Sequence, residues 1–195
     1  MKRVINIGLV LIFCVLGYWL YLSIQDPIAF RAERETRKDA VIQSLRKLQI
    51  AQDIYRSVTG TYASNFDTLF NVLMTKEITV EKLEADPTDP TNQDKFIKTI
   101  IKKSAKDSIF TLLGGPMNLD SLRYIPYGEG KIFEIAADTI RQQNSLVNVV
   151  QVGTKYKDFM GTFADPRYKK YDALYDPEKM IKFGDLNSAN TNGNW

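Results

Sequence analysis

The chain has no histidine and a single cysteine among its 195 residues. The first absence removes histidine-based triads, imidazole metal ligands and a side chain that changes charge near neutrality. The one cysteine, Cys14, lies inside an apolar run, so the rest of the chain has no thiol for a disulfide, a redox pair or a thiolate zinc site. A thiol-free exterior is tolerated in an oxidising compartment. An excess of charge is also missing: 26 basic residues face 23 acidic ones. Two of the basic residues, Lys2 and Arg3, precede the apolar run, so the remainder is close to neutral. A nucleic-acid binder needs a clustered basic face, and this balance argues against one. The length suits one modest domain beside an anchor.

What the chain does have is a long uncharged run, VINIGLVLIFCVLGYWLYLSI, from Val4 to Ile24. As a helix it crosses roughly 30 Å of hydrocarbon. Tyr18, Trp19 and Tyr21 gather at its far end, where amphipathic rings favour the headgroup layer. A cleavable signal peptide would have a shorter apolar core followed by small residues, whereas this run ends in WLYLSIQ. LIFC differs from a lipoprotein box by the bulk of Phe13. An uncleaved anchor is therefore expected. The basic start favours a cytoplasmic N-terminus with the following domain outside, although Arg31, Arg34, Arg37 and Lys38 lie within reach of the other end.

Asp26 and Pro27 are expected to break the span and start a second helix, since Asp accepts from free N–H groups and Pro suits a first turn. From there to Thr59 nothing forbids about 33 helical residues, near 50 Å. The opening RAERETRKD is charged on every side, with Glu33 and Arg37 in a favourable i,i+4 pair, and reads as a solvated spacer. Further on, Val41, Leu45, Leu48 and Tyr55 form one apolar stripe flanked by Ala51 and Val58. Ile50 and Ile54 point nearly opposite; they belong either to a helix end buried all round or to a partner-facing patch. Gly60 is expected to cap the helix in the left-handed conformation. Ser64 with Asp67 resembles a capping box that opens a second helix, burying Phe66, Leu69, Phe70 and Leu73.

ADPTDPTNQD, residues 85–94, reads as a polar surface turn. KFIKTIIKKSAKDSIF fits a short helix or a strand, and LLGGPM breaks whichever it is. LRYIP and KIFEIAA, joined across YGEG, give the clearest hairpin signal. LVNVVQV supplies a third strand and MIKFGDL a fourth.

A short basic start, an apolar helix continuing as an amphipathic one, LQIAQDIYRSVTGTYASNFDTL, and a later strand-rich part together resemble a type IV pilin or type II secretion pseudopilin. With DPIAF, GTYASNFDTL, YIPYGEGKIFEI and the ending NTNGNW, the chain looks most like pilin-like single-span envelope proteins of Bacteroidetes, a group without an assigned activity. The resemblance implies a pilin-like α+β fold and protein–protein assembly. It departs from prepilins in two places. Arg3 stands where a small residue should precede the apolar run, and no acid lies within the span, so prepilin processing and filament registration are not implied.

Four places carry residue types with chemical potential. Ser104 with Lys106 has the types of a Ser–Lys hydrolase but no oxyanion-hole signature. Asp165, Asp172 and Asp176 would have to form a glycosidase pair, a pattern that any acid-rich chain offers. Tyr168, Tyr171 and Tyr175 make either a sugar platform or a packing stripe. Asp185, Asn187, Asn190 and Asn192 are poor calcium ligands beside their ordinary use in turns. The expected fold class is α+β: an N-terminal transmembrane helix continues into a long amphipathic helix packed on a small antiparallel sheet. The expected division is an anchor at 1–25, a charged helical stalk at 26–40 and an extracytoplasmic head at 41–195. The expected function is a non-enzymatic structural or adaptor subunit of a cell-envelope assembly. No catalytic residue, cofactor or metal ligand is assigned. The partners are the bilayer, through residues 4–24, and an envelope protein or a second copy of the chain. The alternative is an anchored glycan-binding module.

Overall fold

The computed structural model describes residues 2–85, 96–142 and 144–195. It is an α+β protein built on one continuous helix, α1, from Lys2 to Thr59. The N-terminal part of α1 is apolar, with a mean hydropathy of 2.3 over its best window, none of which is buried. By length and composition it suffices to cross a membrane.

The expected break at Asp26–Pro27 does not occur, and Pro27 sits inside the helix. A proline inside a helix removes one hydrogen bond and crowds the carbonyl four residues back, a cost that packing on either side can offset. The turn that follows is held instead by packing, because Phe30 is fully buried against the C-terminal part of the chain. Residues 26–40 are therefore covered on one side only: Phe30 is buried, while Asp26, Ile28, Arg31, Glu35, Thr36 and Asp39 stay exposed. Phe30 belongs to the same core as Val41, Leu45, Leu48 and Ala51, and the head takes hold of the helix directly beyond the apolar run.

Farther along α1 the apolar stripe is buried as its spacing requires, with Val41, Leu45, Leu48 and Ala51 at 0% exposure. Ile54 is also buried and Ile50 packs partly against the core, but the helix is not buried all round: Arg46, Asp53 and Arg56 face solvent. Gln52, on the buried side, donates to the Ala63 carbonyl and accepts from its N–H, both at 3.0 Å, which pins the turn after Gly60. Gly60 ends the helix at φ 80°.

Helix α2, Phe66–Thr75, is capped by Asn65 rather than Ser64: the Asn65 side chain accepts from Thr68 N at 2.7 Å. An extended Asn one residue later does the capping that the Ser64–Asp67 spacing suggested. Phe66, Leu69, Phe70 and Leu73 are buried as expected.

Strand β1, Glu77–Ala85, pairs antiparallel with β2, Phe96–Ser104, from Glu77 opposite Ser104 to Ala85 opposite Phe96. No strand was expected at 77–85; the alternation of Ile78 and Val80 was its signal. The segment expected to be either helix or strand is both in turn, since β2 runs into α3, Ala105–Leu113, which ends at Gly114. The polar turn expected at 85–94 lies, apart from Ala85, outside the described residues.

The second sheet is three-stranded and antiparallel, in the order β3 (Glu134–Gln142), β4 (Ser145–Lys155), β5 (Met180–Gly184). Its hairpin is β3–β4, not the expected pairing of LRYIP with KIFEIAA. Leu119–Arg123 forms a 3₁₀ turn, and contact across YGEG shrinks to one bridge, Tyr124 with Ile132. Pro126 and left-handed backbone at Tyr127 and Glu129 prevent a ladder there. The second half of α1 lies between these parts, touching α2, α3 and β1 on one side and β4 and β5 on the other.

Candidate functional site

Arg31, Arg34 and Arg37 recur every third residue on α1 and bind the end of a short helix, α4 (Tyr156–Phe159), and the segment that follows it. Arg31 donates to the Tyr171 carbonyl at 3.2 Å, and Arg34 pairs with Asp172. Arg37 donates to the Phe159 carbonyl at 2.8 Å and to Glu33 at 2.7 Å, and its guanidinium lies 5.1 Å over the Tyr127 ring. Between them Phe30 stacks on Tyr168, with centroids 5.2 Å apart and planes 8° apart, and meets Tyr175 edge-on at 5.0 Å. Aromatic pairs of this kind add about 0.5–1.5 kcal/mol each beyond area burial.

The segment takes this path because its aspartates make turns. Asp165 accepts from Arg167 N, Asp172 from Leu174 N and Asp176 from Glu178 N, each two residues on. Pro166 then opens a 3₁₀ turn through Lys170. The three acids considered as a glycosidase pair are thus turn residues. Tyr168, Tyr171 and Tyr175 are packing residues around Phe30.

Two surfaces result. The first is a crevice of about 250 Å³ between α1 and this segment, lined by Arg34, Lys38, Tyr156, Asp172, Tyr175 and Trp195, among others. Burial, and secondarily the neighbouring Tyr156, pushes the Tyr175 phenol up to about 12, and burial raises Tyr156 as well. Both phenols therefore stay protonated at neutral pH. Elsewhere on the surface, Glu178 accepts from Lys157 at 2.7 Å and from Lys155 at 3.1 Å, contacts that hold its carboxyl below the usual range. Arg34, Lys38 and Lys179 thus share this crevice with the Asp172 carboxylate and two neutral phenols.

The second surface is the loop from Tyr124 to Phe133. Ile125 N bonds to Lys131 O, Gly128 N to Ile125 O and Phe133 N to Arg123 O, all at 2.9 Å. Tyr127 and Glu129 are held at φ 61° and 51°, which non-glycine residues adopt only when the surroundings impose it. This fixed backbone displays Tyr124, Tyr127 and Ile132, each about half exposed. Lys131 pairs with Asp158 at 2.8 Å, so with the Arg37 contact the loop is tied to both α1 and α4.

The other candidates from sequence stay apart. Ser104 precedes α3 and its carbonyl accepts from Ser108, while the Lys106 ammonium lies 5.9 Å from the centre of the Phe110 ring. Asp185 and Asn190 make turns, accepting from Asn187 N and Asn192 N. No group of three acidic or cysteine side chains able to hold a metal occurs among the described residues. Sequence reasoning missed the arginine clamp, since arginines at this spacing have the same pattern on a solvated face. No protein-family model, curated protein or solved structure matches the chain.

Proposed function

We propose that this chain is a single-pass envelope protein of pilin-like build, a structural or adaptor subunit without catalytic activity. Its N-terminus lies in the cytoplasm, its span in the inner membrane and its head in the periplasm. The observation that carries this reading is α1 itself. The helix that is long and apolar enough to span a membrane is, without interruption, the central core element of the head. Such a build transmits position and force between bilayer and head, as a scaffold must. The fixed loop bearing Tyr124, Tyr127 and Ile132 is the protein-contact face, because rigid, half-exposed aromatic residues lose little entropy when a partner covers them. The glycan-module reading has less support, since the tyrosines it needs are engaged with Phe30.

A photoreactive amino acid placed at Tyr127 in the full chain, activated in native membranes, tests the reading. A discrete protein adduct from position 127, absent from the exposed control position Arg46, is the expected result. Absence of an adduct from positions 124, 127 and 132 alike would refute the contact face.

A further inference from the structure

The foot of the head lies at the level of the aromatic belt. A shallow crevice there is lined by Trp19, Ser23 and Asp26 of α1 and by Lys170 and Tyr171 of the C-terminal segment. Given the reading that residues 4–24 span a bilayer, the outer boundary of the hydrocarbon falls near Ser23 and Ile24, with Trp19 roughly 7 Å inside it, in the aromatic belt. The headgroup layer adds roughly 5–7 Å on each side, or about three to five residues of helix. Lys170, which shares a crevice with Ser23 and Asp26, is therefore at headgroup depth.

The charges at this depth are of both signs, but the acids other than Asp26 are engaged by basic side chains, Asp172 by Arg34 among them. Arg167, Lys169 and Lys170 are exposed on the 3₁₀ turn, and Arg31 is exposed beside it. Asp165 is used in capping the turn and lies 3.7 Å from Arg167, while Asp176 lies 3.5 Å from Lys169. Asp26 accepts from the Tyr171 hydroxyl at 3.5 Å. Lys170 has no ion pair among the described residues, and its ammonium rests 4.5 Å from the centre of the Tyr171 ring. An ammonium presented on an aromatic face at headgroup depth matches a lipid phosphate in charge and position.

We propose that the 165–171 turn is a lipid foot: Lys170, supported by Arg167 and Arg31, binds the phosphate of an anionic phospholipid in the crevice beside Trp19 and Ser23. The head then sits on the membrane surface instead of standing off it. The foot rests on the membrane-span reading and is independent of the protein-contact face.

The test uses the full chain in nanodiscs of phosphatidylcholine alone or mixed with phosphatidylglycerol. Amine labelling is followed at Lys170 and Lys169, with Lys106 on α3 as internal reference. Labelling of Lys170 relative to Lys106 is expected to slow by about fivefold in the anionic discs, the effect of a lysine at an anionic surface, and to recover in high salt. Lys170→Gln is expected to reduce the protection of Lys169 as well. Equal labelling in both discs overturns the foot while leaving the span intact. Equivalent protection by inorganic phosphate in neutral discs assigns the crevice to a soluble anion and overturns lipid binding. A chain that elutes apart from the discs overturns the span and the foot together.

Discussion

Tyr175 shows how one residue ties the two ends of the chain together. Its ring meets Phe30 edge-on, and its hydroxyl donates to the Phe163 carbonyl at 2.7 Å. Burial lifts its pKa from 10.0 to about 12, so the folded state holds the phenolic proton more tightly than the unfolded chain does. The stability this contributes is complete below pH 10 and is lost as pH rises from there to about 12. Thermal melts across this range are expected to show a falling Tm for the wild type. Tyr175→Phe loses about 1 kcal/mol of hydrogen bonding at neutral pH, and its Tm should fall less steeply in alkali. Equal slopes for the two proteins would remove Tyr175 from the alkaline transition. Gly184 shows the opposite kind of constraint, backbone instead of side chain. It sits at φ 75°, and a Cβ there would lie 1.9 Å from the Val150 carbonyl oxygen, so β5 can lie against β4 only with glycine at this position.

Among the elements, α1 carries the largest share of the core. Leu48 is fully buried between the two halves of the head, and Leu48→Ala leaves a cavity costing about 2–5 kcal/mol. That is a large fraction of a domain's usual margin, and a denaturant midpoint lowered to match is expected. Ile54 lies off the main stripe yet is 7% exposed, so Ile54→Asp places a carboxylate in the core without a partner. This variant is expected to lose cooperative unfolding in the same titration. A soluble, cooperatively folding Ile54→Asp head would return Ile54 to a partner-facing surface.

At the scale of the whole molecule, anchor and head share one helix, and three arginines clamp the C-terminal segment to it. The topology proposed for it places everything beyond Asp26 outside the cytoplasm. Protease added to intact spheroplasts is expected to degrade the head and leave an N-terminal fragment of anchor size. Protection until the cells are lysed would invert the orientation.

The apolar run, the α+β order, the buried stripe of α1, the Gly60 cap and the apolar face of α2 were legible in the sequence. Each follows from chemistry within a few residues, such as a missing charge, a period near 3.6 or a residue without Cβ. The strands of the second sheet were legible too, but their pairing was not, because Pro126 and the strained backbone of Tyr127 and Glu129 decide which segments meet. The continuation of α1 through Pro27 and the burial of Phe30 depend on Tyr168 and Tyr175, well over a hundred residues away in the chain. So does the use of Arg31, Arg34 and Arg37 as a clamp. A charged helical stretch has the same local pattern whether water or another segment covers it, and only the tertiary structure supplies the covering segment.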